Sequence, residues 1–144
     1  MTNLIKCMLI SFFLLFNAPV MAFKCYITLM KSKCWNKHNV TLKVIDNLTE
    51  KTIFQDIALN KNTLWTRKEF QCNLGQGLIT QASFTPHIWE SGENKRYNTT
   101  RIWFLPLQQG KQSVAWNVPI CFPNDFAEVP MLTNIDKECD CLST

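Results

Sequence analysis

The chain is expected to fold as an all-β protein, a single antiparallel β-sandwich, because three observations agree. Its apolar residues alternate with polar ones at a period of two within short runs. Those runs are rich in β-branched and aromatic residues, and Asn, Gly and Pro punctuate them. No segment carries a sustained apolar stripe of helical period with caps at its ends.

The elements follow in order. Residues 25–30 form the first expected strand. In 39–46 the apolar Val40, Leu42 and Val44 alternate with Thr41 and Lys43. A polar, turn-like stretch at 47–51 leads to a return strand at 52–59. A further strand is expected at 64–72. A two-glycine turn at Gly75 and Gly77 then opens one at 78–84. The run 101–105 stops at Pro106, and the run 113–118 stops at Pro119, because proline cannot donate to a ladder. About seven short strands in this span suit a sandwich, with an immunoglobulin-like arrangement as one option. After Cys121 the periodicity fades, and 123–144 is expected to be an extended acidic tail fastened by cystines. The expected organisation is therefore a segment 1–22, a sandwich domain 23–122 and the tail 123–144.

The first segment has the pattern of a secretory signal. Lys6 supplies a basic start, residues 9–16 are apolar, and Val20, Met21 and Ala22 precede a cleavage point that leaves Phe23 as the mature N-terminus. The apolar run is too short for a permanent membrane span, and no other stretch approaches that length. A periplasmic or secreted protein with no transmembrane segment in its mature chain is expected. The signal removes Cys7 and leaves Cys25, Cys34, Cys72, Cys121, Cys139 and Cys141, an even number in an oxidising compartment. These six are expected to be disulfides rather than metal ligands, and the Cys-x-x-Cys of redox enzymes is absent. A Cys139–Cys141 bridge is excluded as a very small strained ring. The preferred scheme joins Cys139 and Cys141 to Cys25 and Cys34, and Cys72 to Cys121. Its rationale is charge. Lys24, Lys31, Lys33 and Lys37 stand near the first two cysteines without an acid, whereas Asp136, Glu138 and Asp140 flank the last two.

The mature chain carries a net charge of +3, divided into +7 over residues 23–122 and −4 over the tail. Such asymmetry suits a tail that folds back on a basic body, or a body that meets an anionic partner.

Catalytic signatures are weak. No Gly-x-Ser-x-Gly surrounds a serine, and the Gly75 turn lacks the third glycine of a phosphate loop. The tail lacks a calcium-hand pattern. Neither a cofactor nor a metal is expected. The only two histidines, His38 and His87, allow one enzymatic alternative, a small basic nuclease-like hydrolase using two imidazoles as acid and base. Asn39, Asn47 and Asn98 each begin an Asn-x-Thr glycosylation acceptor pattern. Aromatic and Arg residues enrich recognition surfaces. Trp89, Arg96, Tyr97 and Trp103, which flank a polar loop, are therefore the candidate partner surface.

Three stretches carry a resemblance. They are residues 24–30 through Cys34 and Trp35, the run 116–130 with Cys121 and three prolines after Trp116, and Cys139-Asp140-Cys141. Together they resemble small disulfide-bearing periplasmic proteins of intracellular gammaproteobacteria. Some of these are accessory components of the outer-membrane core of type IVB (Dot/Icm) secretion systems. The resemblance implies a structural or interaction role and assigns no site residue. The expected function is a non-enzymatic protein-binding module whose partner is another envelope protein and not a nucleic acid. A secreted effector or inhibitor and the hydrolase remain as alternatives.

Overall fold

The computed structural model describes residues 22–88, 95–107, 115–132 and 139–141. All of the expected signal except Ala22 lies outside them. The elements are β1 (Phe23–Lys31), a 3-10 turn (Lys33–Trp35), β2 (Asn39–Asp46), β3 (Thr52–Leu59), β4 (Trp65–Cys72), β5 (Gly77–Thr85), β6 (Tyr97–Asn98), β7 (Trp103–Phe104) and β8 (Ala115–Phe122). They form two sheets, one ordered β4-β1-β8 and the other β3-β2-β5-β6, with β7 pairing further along β5.

The period-two patterning becomes two inner faces. Val40, Leu42 and Val44 of β2 stand opposite Phe84, Ala82 and Thr80 of β5 and face inward. Cys25, Ile27 and Leu29 of β1 and Val118, Ile120 and Phe122 of β8 supply the facing layer. Trp35 closes one end of this core, edge-on to Phe84 and Phe122 at 4.8 and 5.0 Å between ring centroids. Along one side the sheets are joined by Phe54 against Phe70, 5.8 Å apart. Along the other they are joined by the bridge between Thr99 and Phe126. The core continues beyond residue 122, since Phe126 is buried 5.7 Å from Phe122.

Three features depart from the expected strands. The sandwich is mostly antiparallel, but β1 and β8 are parallel, with Ile27 beside Val118 and Leu29 beside Ile120. Strand β8 also runs through Pro119 to Phe122 instead of stopping at Val118. It can do so because it is an edge strand, where a missing N–H interrupts no ladder. Finally, the expected strand 101–105 is reduced to Trp103–Phe104. Residues 98–100 are drawn instead toward 125–127, with Thr100 N donating to Asp125 O and Ala127 N to Asn98 O, both at 2.9 Å.

Three disulfides are present, and two hold the tail: Cys34–Cys139 and Cys121–Cys141. Cys34–Cys139 is as the preferred scheme has it, whereas Cys121–Cys141 and the third bridge, Cys25–Cys72, both correct that scheme. Antiparallel pairing sets Cys25 opposite Phe70 and Phe23 opposite Cys72. Both cysteines face inward on adjacent strands with Cα atoms 5.9 Å apart, inside bridging range. Cys121 pairs in register with Met30 on the outer face of the same sheet, with β1 between it and β4, so Cys72 has no route to it. Three disulfides indicate an oxidising, extracytoplasmic environment. No helix among the described residues is long and apolar enough to cross a membrane.

Candidate partner-binding end of the sandwich

The two ends of the sandwich are built differently, and the end opposite Trp35 carries the candidate site. Three segments meet there: the β2–β3 turn, the β4–β5 turn and the chain from Phe104 to Leu107. Each is shaped by its own sequence.

In the first, Asp46 Oδ1 accepts from the backbone N–H groups of Leu48 (2.9 Å) and Thr49 (2.8 Å), the side-chain-to-backbone turn that Asp favours. Glu50 takes a left-handed conformation, φ 59°, and its N–H returns to Asp46 O at 2.9 Å. This turn pushes Leu48 outward. In the second segment Gly75 has φ +69°, a conformation that strains other residues, and a Cβ there would meet Leu107 Cδ2 at 2.6 Å unless that exposed side chain moved. Gly77 is similarly close-packed, with Asn47 and Phe104 both 3.1 Å from where its Cβ would lie. The third segment docks onto the second through Leu105 N to Gln76 O (2.8 Å) and Gly75 N to Pro106 O (2.9 Å).

The result is an open pocket of about 200 Å3 lined by Asp46, Leu48, Thr49, Leu74, Gly75 and Gln76 among others. Large apolar side chains stand exposed around it: Leu48 at 89%, Leu107 at 81%, Phe104 at 68% and Leu74 at 42%. One exposed leucine is ordinary, but four such side chains on three adjoining segments form a patch, and patches mark interaction sites. At the pocket's base Asp46 is only 8% exposed. Its Oδ2 accepts from Gln76 Nε2 at 2.6 Å, and Gln76 Oε1 in turn accepts from Asn73 N at 3.0 Å. Burial alone would raise the Asp46 pKa. The hydrogen bonds from Thr49, Gln76 and Leu48 outweigh it and hold the carboxyl below its ordinary value.

The sequence-predicted surface is only partly a surface. Trp89 lies outside the described residues. Arg96 is exposed. Tyr97 is buried, its ring stacked on Phe84 with centroids 5.6 Å apart, because β6 pairs with the inward-facing part of β5 at Ala82. Burial also raises its pKa. Trp103 is half-buried against the core, with the Arg101 guanidinium over its ring at 3.7 Å. It adjoins the site through its neighbour Phe104. Trp65, not singled out in the sequence, is exposed on β4 in register with half-buried Met30. The residues that do converge, Leu48, Leu74, Phe104 and Leu107, were missed. The available signal was an apolar residue at the tip of a polar turn, Leu48 between Asn47 and Thr49.

The two histidines lie at the other end. Pairing of Asn39 with Thr85 brings their segments together. His38 packs on Trp35 (4.8 Å) and Phe84 (5.8 Å), and its Nδ1 is buried without a hydrogen-bond partner, whereas His87 is exposed. Burial lowers the His38 pKa, and nearby Lys31 and Lys61 lower it further. Lys31 is 1% exposed, and its ammonium donates to His38 O (2.7 Å) and Asn60 O (3.0 Å). That lysine is occupied in closing the fold, and burial lowers its pKa. Among the described residues no three His, Cys, Asp or Glu side chains gather as a metal site.

No protein-family model matches this chain, and no curated protein matches it significantly.

Proposed function

We propose that the protein is a non-enzymatic protein-binding module of the periplasm or the secreted fraction, delivered by residues 1–22 as a cleaved signal. It engages its partner with the open end of the sandwich. The observation that carries this reading is the concentration of Leu48, Leu74, Phe104 and Leu107 around one pocket. Exposing that much apolar surface has a hydration cost, which docking would recover, roughly 25 cal/mol for each Å2 covered. The sandwich holds the loops, and the loops do the recognising, a common division of labour. The resemblance to accessory proteins of type IVB secretion assemblies supports an envelope protein as the partner.

A photo-crosslinking residue placed at position 48 or 107 in the cell of origin tests the reading. A discrete adduct should form from either position and from neither Gln81 nor Lys43 on the polar outer face of the β2–β5 sheet. Leu48→Asp combined with Leu107→Asp should abolish co-purification of the adduct's partner while leaving thermal unfolding unchanged. Adducts formed equally from Gln81, or a partner retained by the double variant, would overturn it.

A further inference from the structure

The pocket between Leu48 and Leu74 has a chemistry more specific than an apolar patch. We propose that it is an anchor subsite for a single basic side chain, lysine or arginine, of the partner protein. The inference rests on the partner-binding reading above and names what that partner inserts.

The argument begins with size. Small-molecule and cofactor sites enclose roughly 300–1,000 Å3. This pocket measures about 200 Å3, which suits one long side chain. Leu48 and Leu74 give its lining aliphatic surface, and the nearly buried Asp46 gives it a carboxylate. Lysine and arginine have the matching form, a methylene stem that packs on apolar surface and a charged head beyond it.

The base is also electrically incomplete. Asp46 is more than nine-tenths buried, and buried charges are ordinarily paired with a charge of opposite sign. Its partners here are two backbone N–H groups, the Gln76 amide and the Thr49 hydroxyl, all neutral. No lysine or arginine among the described residues forms an ion pair with it. The ion pairs there are Lys24–Glu69 and Arg101–Asp125. Lys51 and Glu50, on the same turn, are both exposed and balance each other in charge. A carboxylate offers about four lone-pair positions. The donors there supply hydrogen bonds but no counter-charge, and Oδ2 accepts from Gln76. The net positive charge of residues 23–122 does not oppose this, because exposed charges are screened beyond roughly 10 Å at moderate salt. The hydrogen bonds that keep Asp46 ionised at neutral pH keep the subsite anionic.

The test uses the mature, oxidised protein and small probes, so it does not need the partner. Titrations with n-butylguanidinium and n-pentylammonium are followed by amide chemical shifts, with 1-pentanol and pentanoate as neutral and anionic controls. The cations should shift the amides of Leu48, Thr49, Gly75 and Gly77 saturably. They should bind about tenfold more tightly than pentanol, the order of one charge-assisted hydrogen bond. Asp46→Asn, which keeps an acceptor for the turn, should remove that preference. Gln76→Lys provides a second variant, carrying an internal ammonium beside Oδ2, and should block both cations whether or not Asp46→Asn folds. Equal binding of pentanol, shifts located elsewhere, or undiminished cation binding in Gln76→Lys would overturn the anchor. That failure is separable from failure of partner docking, which is judged by the crosslinks from positions 48 and 107.

Discussion

One end of this sandwich is sealed and the other is open, and the two use the same strands to opposite effect. At the sealed end Trp35 meets Phe84 and Phe122, Lys31 closes over two backbone carbonyls, and Cys34–Cys139 and Cys121–Cys141 bring the tail back onto the domain. At the open end the turns are equally well ordered, by Asp46 and Gln76, yet the large apolar side chains they carry point outward. Order and burial are therefore separate achievements. Side-chain hydrogen bonds shape the open end without covering it, while ring packing and covalent bonds cover the sealed one. Stability is expected to reside at the sealed end and recognition at the open one.

The largest expected effect is at the sealed end. Trp35→Ala removes a fully packed ring and should cost about 3–5 kcal/mol, read from urea unfolding. A cost below about 1 kcal/mol would show that the sealed end does not hold the fold.

Next comes the tail. The Cys34–Cys139 pair spans 105 residues and Cys121–Cys141 spans 20. Converting all four cysteines to Ser should cost roughly 2–4 kcal/mol. Removing only one pair should cost less than its share, because the other still tethers the tail. Strict additivity of the two losses in thermal unfolding would contradict that shared role. Peptide mapping without reductant checks the connectivity directly.

The open end should behave in the reverse manner. Leu48→Asp with Leu107→Asp is expected to change unfolding free energy by no more than about 0.5 kcal/mol, as exposed substitutions do. Its effect should fall entirely on partner binding. A loss of several degrees in melting temperature would mean these leucines support the fold and the contrast between the ends is false.

The smallest effect expected is on pH dependence, and it separates the ends by titration. His38 is held below its ordinary value of 6.5, so the unfolded chain takes up its proton first. Stability should fall as pH drops below about 6.5, until the folded protein is protonated too. Asp46 is also held low, so it contributes stability above its ordinary 3.8 that is lost as pH falls through the folded value. Calorimetry across pH 8 to 3 should show two declines, in that order. His38→Gln should flatten the first alone, and Asp46→Asn the second alone. A first decline that survives His38→Gln would refute the assignment to the sealed end.

Much of the strand pattern was legible in the residues. Runs 39–46 and 52–59 match β2 and β3 end to end, because period-two alternation between turn residues reports local backbone and burial together. The misses share a cause. Pro119 is a stop signal only if its strand is internal, and edge position is a property of the sheet. Tyr97 suggested a surface by its residue type, but pairing with β5 turned its ring inward. The candidate site was half legible, since 47–51 and Gly75–Gly77 were both recognisable as turns. Their meeting was not, because it follows from β2 and β5 lying antiparallel in register from Asn39–Thr85 to Asp46–Leu78.

What the sequence determined by itself is local: which runs extend, where turns fall, and that the six cysteines after residue 22 would be oxidised. These follow from nearest-neighbour sterics, from side-chain period and from cysteine count, none of which needs a partner distant in the chain. Only the tertiary structure decided which cysteines join, that β1 and β8 run parallel, and that Leu48 and Leu74 line one pocket with Asp46 while Leu107 packs on Gly75. Each of those is a long-range choice of register and face. A shift of one residue along a strand turns every side chain to the opposite side, so such choices are settled by the packing of the whole sandwich at once.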